Sequence, residues 1–189
     1  MTAWADLDAV RATALGCTAC GLAATRTQVV FGSGDPAADL MFVGEGPGAD
    51  EDRLGQPFVG RSGQLLTRLI DGIGLTRDAV YIANVVKCRP PDNRDPLTDE
   101  IAACRPFLEA QVDHVAPRVI MTLGNFATKL LLDTRTGITK LRGQEFPYRS
   151  GAVVVPTLHP AAVLRGGGVA LAQTRADFVV AKRLVGRAR

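Results

Sequence analysis

Four acids and three glycines crowd the stretch GEGPGADED, residues 44–52, at the end of the apolar run DLMFVG. A backbone-rich loop with fixed carboxylates suits a neutral ligand that offers N–H donors, or a reaction that develops positive charge and consumes a water. Gly44, Gly46 and Ala49 nominally fit the dinucleotide fingerprint G-x-G-x-x-G/A. The fit fails on chemistry. Glu45, Asp50, Glu51 and Asp52 would repel phosphates, and Gly55, Pro57 and Gly60 interrupt the turns a phosphate-binding helix needs. No G-K-[ST] follows, so a P-loop is excluded as well.

A second constellation is formed by the four cysteines. Cys17 and Cys20 are separated by two residues, Cys88 and Cys104 by fifteen. In a reducing compartment such a set is read as metal ligands or unrelated core residues before disulfides. On spacing alone a four-thiolate site suits zinc and a [4Fe–4S] cluster equally.

The elements that must position these residues follow from apolar patterning. Residues 5–15 have helical spacing and end at Gly16, directly before the Cys-x-x-Cys loop. Four apolar runs, 39–44, 79–86, 118–124 and 152–158, read as strands buried on both faces. Helical stretches at 62–73, 98–115 and 125–132 lie between them, and 168–186 closes the chain. Thr98 and Glu100 suggest a capped start for the second. The alternation predicts an α/β fold, a three-layer α/β/α sandwich around a mainly parallel, four-stranded sheet. With 189 residues, 47% of them hydrophobic, the chain suits one domain, 1–189, with an N-terminal cysteine-bearing helix and loop. In that fold Glu45, Asn84, Gly124 and His159 all fall at or just past the carboxyl end of a strand, the edge where open α/β sheets bind ligands. They are expected to converge on one crevice.

The N-terminal stretch MTAWADLDAVRATALG carries acids and no run of signal-peptide length, and no segment approaches the roughly 20 apolar residues of a membrane span. A cytoplasmic protein is expected. From Ala161 onward six Lys or Arg stand against the single Asp177, which fits an anionic partner. Arg61, Ser62 and Gly63, at a predicted helix start after Gly60, suit a phosphate through amides and charge. Base excision from DNA has the demands of the acidic loop, because the sugar becomes cation-like as the base departs and a water completes the reaction.

Seven stretches, CTACGLAATRTQVVFGSG, GEGPGADED, GQPFVGRSGQLL, YIANVVKCRPPDNRDP, EIAACRPFL, TLGNFA and PTLHPAAVLR, occur along the chain in this order. Together they resemble a family 4 uracil-DNA glycosylase, the iron–sulfur type found in bacteria and archaea. The resemblance implies that a flipped uracil in DNA is excised hydrolytically to leave an abasic site. It implies that Phe58 stacks on the base, Asn84 reads its Watson–Crick edge, and His159 donates toward the O2 oxygen. One orientation of the Asn amide matches O4 and N3–H of uracil and mismatches cytosine.

The resemblance favours a [4Fe–4S] cluster on Cys17, Cys20, Cys88 and Cys104, in a structural role, with zinc as the less favoured occupant. It makes HPAAVLR an intercalation loop, in which Leu164 fills the vacated stack and Arg165 holds the backbone. The acidic loop departs from the family 1 pattern, in which an aspartate orients water, since Gly46 stands at the corresponding place. Glu45 and Glu51 are then the catalytic carboxylate candidates, with Gly46 supplying backbone contacts and Glu51 also able to wall the pocket against the thymine methyl group.

Two rivals remain. A non-catalytic DNA-binding or damage-sensing module stabilised by a metal would keep the cysteines and basic tail without requiring Asn84 and His159 together. A related glycosylase type bonds covalently to DNA through a histidine after the second strand, but CRPPDNRDPLTDE has no histidine. No apolar stripe is left over for a partner copy, so a monomer is expected.

Overall fold

The computed structural model describes residues 4–187. The elements are α1 (Leu7–Leu15), β1 (Ser33–Gly34), β2 (Leu40–Gly44), α2 (Ala49–Leu54), α3 (Arg61–Asp71), β3 (Tyr81–Asn84), α4 (Thr98–Val115), β4 (Val119–Leu123), α5 (Asn125–Leu132), α6 (Ile138–Leu141), β5 (Phe146–Pro147), β6 (Val153–Thr157) and α7 (Pro160–Val185).

The sheet order is β1-β3-β2-β4-β6-β5. The four expected strands form its parallel centre, β3-β2-β4-β6, and their residues are almost all buried. The expected count of four is corrected to six, because β1 and β5 pair antiparallel at the two edges. Each is two residues long and contains Gly or Pro, too short to leave a pattern in the sequence.

Alternation along β2 separates the two cores. Met41 and Val43 face one side, packed with Val10 and Ala14 of α1, Phe107 and Leu108 of α4 and Ala127 of α5. Leu40 and Phe42 face the other, packed with Leu66 and Ile70 of α3 and Phe178 and Ala181 of α7. A strand with helices on both faces must be apolar at every position, which is why it reads as an unbroken run. The three layers are thereby in place.

Three local readings are revised. Thr98 is the first helical residue of α4 rather than its cap, although Glu100 does reach back, accepting the Leu97 N–H at 2.8 Å. Closing helix α7 begins at Pro160, well before 168, and breaks at Gly167 (φ 67°, ψ −152°). The strand expected over 79–86 is shorter, because residues 77–79 form a single 3₁₀ turn. No helix among the described residues is long and apolar enough to cross a membrane.

Candidate active site

A cavity of about 680 Å³ opens at the carboxyl ends of the parallel strands. Each central strand delivers one of the expected residues: Glu45 after β2, Asn84 from the last position of β3, Gly124 after β4 and His159 after β6. Phe58, Glu51, Gly46, Ser62 and Arg165 also line it.

Asn84 is 1% exposed, and its Oδ1 accepts no hydrogen bond. Among the described residues no other buried side-chain nitrogen or oxygen is left unsatisfied. Such an acceptor costs free energy unless something supplies a donor. Gly44 makes room for it, since a Cβ there would lie 2.5 Å from both Asn84 Oδ1 and Phe58 Cζ.

His159 caps α7, and its Nδ1 accepts the Ala161 N–H at 3.1 Å. Burial, reinforced by Arg165 and opposed by Glu51, pushes its pKa down to about 4. At neutral pH the ring is uncharged, and with Nδ1 used as an acceptor its proton sits on Nε2. Its ring centroid is 5.9 Å from that of Phe58. Gly124 (φ 90°) lies against it, since a Cβ there would come within 2.9 Å of His159 Cβ.

The acids of the opening loop have separate tasks. Glu51 is saturated by main-chain donors: Oε1 accepts Val59 N–H at 2.8 Å and Gly60 N–H at 3.0 Å, and Oε2 accepts Gly48 N–H at 3.1 Å. It staples the turn bearing Phe58. Asp52, buried, accepts from Thr27 and Gln28. Asp50 pairs at the surface with Arg53. Glu45 lines the cavity, where burial and then the charge of Asp95 push its pKa up to about 7. The Glu51 carboxylate thus occupies the Gly48 amide that caps α2, where a phosphate would have had to bind.

Phe58 is held in a left-handed conformation (φ 54°). The Arg77 guanidinium donates to the Phe58 carbonyl at 3.0 Å and the Pro57 carbonyl at 2.7 Å. Gly63 packs beneath, with space for no side chain: a Cβ would stand 1.8 Å from the Phe58 oxygen. Arg61 and Ser62 begin α3 beside this turn. Leu164 lies on the exposed side of the first segment of α7, next to Arg165 at the cavity rim.

The four cysteines are all free thiols, and Cys17, Cys20, Cys88 and Cys104 line one small cavity with Arg26 and Lys87. N–H groups point at three of the sulfurs: Ala19 N at Cys17 (3.5 Å), Arg26 Nη1 at Cys88 (3.4 Å) and Lys87 N at Cys104 (3.2 Å). Donors directed at sulfur are the surroundings that thiolate-ligated clusters take. Among the described residues, no three His, Cys, Asp or Glu are grouped so as to hold a single metal ion.

A family model described as the uracil DNA glycosylase superfamily matches residues 31–180. The chain belongs to this superfamily. Among its relatives are type-4 uracil-DNA glycosylases. That of Sulfurisphaera tokodaii is 47% identical over 167 residues, covering 84% of this chain and 76% of the relative. That of Thermotoga maritima is 50% identical over 150 residues, covering 79% and 78%. That of Saccharolobus solfataricus is 45% identical over 167 residues, covering 84% and 77%.

Within the superfamily's matched span lie several residues whose structural roles the sequence alone does not show. Arg77 and Asp52 act through main-chain groups far away in sequence, which no local pattern announces. Asp95 faces Glu45 from the loop after β3. Lys87 did leave a signal, being the one charge inside the buried run VYIANVVKC.

Proposed function

We propose that this protein is a type-4 uracil-DNA glycosylase, which flips uracil out of DNA and hydrolyses its N-glycosidic bond to leave an abasic site. The observation that carries the reading is the unsatisfied Asn84 Oδ1 on the cavity wall. It is placed to accept N3–H of uracil, while the amide nitrogen donates to O4. Cytosine, with no N3–H and a donor at C4, would leave both groups unpaired.

Phe58 offers its face to the base, and the Glu51 staple and the Arg77 clamp keep the ring in place. As the C1′–N1 bond breaks, the electron pair moves into the base, and negative charge grows at O2. The neutral His159 donates Nε2–H toward that oxygen, the type of contact whose strength rises only in the transition state. Ionised Glu45 balances the positive charge on the sugar and takes the proton of the water that adds to C1′. Gly46 gives main-chain contacts beside it.

Arg61 and Ser62, with Gly63 packing their helix start against Phe58, hold the DNA backbone. Leu164 fills the gap left by the base, and Arg165 pairs with phosphate. The reading takes residues 1–189 as one domain acting as a monomer on uracil-containing DNA in the cytoplasm.

Cys17, Cys20, Cys88 and Cys104 would hold a [4Fe–4S] cluster. Bound there, it would supply structural cross-linking rather than electron transfer, because the hydrolysis moves no electron between donor and acceptor. Iron and sulfide analysis of anaerobically purified protein tests this, and one zinc per chain in colourless protein would overturn it.

The functional test is a labelled oligonucleotide with one uracil, treated with the protein and then alkali, with His159→Ala and Asn84→Ala alongside wild type. Strand breakage at uracil that drops steeply in both variants supports the reading. Intact strands despite tight DNA binding would mean a non-catalytic binding module.

A further inference from the structure

Lys87 is 1% exposed, and no carboxylate pairs with it among the described residues. A buried ammonium is costly unless its donors are used and a function keeps it there. Its donors are used in a particular direction. Nζ reaches back to the main-chain carbonyl of Asn84 at 2.6 Å and across to Gln111 Oε1 at 2.5 Å. Gln111, itself fully buried on α4, is fixed by donating to the Phe31 carbonyl at 2.8 Å and the Tyr81 hydroxyl at 3.2 Å. The Lys87 main-chain N–H meanwhile points at Cys104 Sγ, and Cys88 is the next residue. Four residues therefore span from the base-reading amide to the thiol cavity, and the lysine side chain folds back over them.

We propose that Lys87 is a positioning residue for base recognition: held by Gln111, its ammonium fixes the Asn84 main chain and so the aim of the unsatisfied Asn84 Oδ1. The cysteine centre anchors the far end of the same segment. The inference rests on the uracil-excising reading of the cavity. It accounts for the two oxygen contacts of a buried charge that the excision chemistry itself does not use.

The test is a double-mutant cycle on holoprotein, with Lys87→Met, Asn84→Ala and the pair. Single-turnover excision, free-uracil affinity by calorimetry and iron per chain are measured for each. Lys87→Met leaves the main-chain N–H to Cys104 intact, so iron content should match wild type. Excision and uracil affinity should fall, by up to about a hundredfold for a misaimed group. In the Asn84→Ala background the same substitution should then cost little.

Additive losses, an unchanged uracil affinity, or loss of iron parallel to loss of activity would overturn the proposal. Should Lys87→Met not fold, Lys87→Gln, which keeps an N–H donor, enters the same cycle with the same readings. An inactive wild type would instead defeat the excision reading itself.

Discussion

Gly44 and Asn84 are direct partners across the parallel β2–β3 pair, and a Cβ on Gly44 would come within 2.5 Å of Asn84 Oδ1. The glycine is therefore required by close approach and not by backbone conformation. The same Cβ would meet the Phe58 ring, so Gly44→Ala would press on both groups assigned to the base. Gly44→Ala is expected to lower excision by about a hundredfold through misplacement. Free uracil affinity, measured by product inhibition, should weaken with it. Unchanged affinity would separate Asn84 and Phe58 from base recognition.

His159 should act without a charge. Its pKa is pushed down to about 4, so the neutral ring with its proton on Nε2 persists through the whole neutral range. The excision rate should then show no rise as pH falls through the ordinary histidine range. Removing the donor in His159→Ala should cost roughly 10²–10³ in the single-turnover rate, as for other donors to a developing anion. For stability the sign is fixed by the depressed value: the unfolded state binds the proton first, so stability is lost as pH falls from about 6.5 toward 4. A melting series from neutral pH to pH 4 on Glu45→Gln, which removes the opposing contribution of the raised Glu45 pKa, reads that loss, and adding His159→Ala should flatten it.

Glu45 should set the acid limb of the rate instead. Its pKa is pushed up to about 7 by burial and then by Asp95. If the ionised form balances charge on the sugar, the rate climbs with pH to a plateau just above that value. Asp95→Asn removes the repelling charge and should move the limb to lower pH, whereas Glu45→Gln should abolish it along with most of the rate. A limb unmoved in Asp95→Asn would assign the titration to another group.

The long elements were legible because several signals agreed in each. The reading of 98–115 and 125–132 as helices coincides with α4 and α5 residue for residue, and the four apolar runs became the parallel strands within one or two residues at most ends. Convergence of Glu45, Asn84, Gly124 and His159 followed from strand ends alone. What stayed hidden depends on contacts distant in sequence. The two-residue edge strands exist only through their partners. Glu51 looks like a free acid until Val59 and Gly60 fold onto it, eight and nine residues later. The break at Gly167 sits among three consecutive glycines, where composition allows a break without dictating its place.

Asp177 ties the last helix to the sheet. Its carboxylate accepts from Arg142 Nη2 at 2.6 Å and Thr157 Oγ1 at 2.7 Å, and it is 2% exposed. Asp177→Ala would leave the half-buried guanidinium and the buried hydroxyl without their acceptor. The expected cost is about 3 kcal/mol, read as a lowered denaturation midpoint. Iron content should be retained, since the thiol cavity lies among α1, α4 and the segment after β3.

Leu164 is where the proposed extrusion can be tested apart from recognition. It is 42% exposed, on the short helical segment between His159 and the break at Gly167, beside Arg165 at the cavity rim. Truncating an exposed side chain changes stability by no more than about 0.5 kcal/mol, so Leu164→Ala should melt like wild type. A wedge, however, acts only where there is a stack to fill. In duplex DNA the variant should lose the compensation for the emptied stack and excise uracil about tenfold or more slowly, the scale set by unstacking costs of a few kcal/mol. On single-stranded DNA, where the base is already largely unstacked, the loss should be much smaller. Equal losses on both substrates would make Leu164 a general DNA contact, and no loss on either would remove it from the interface.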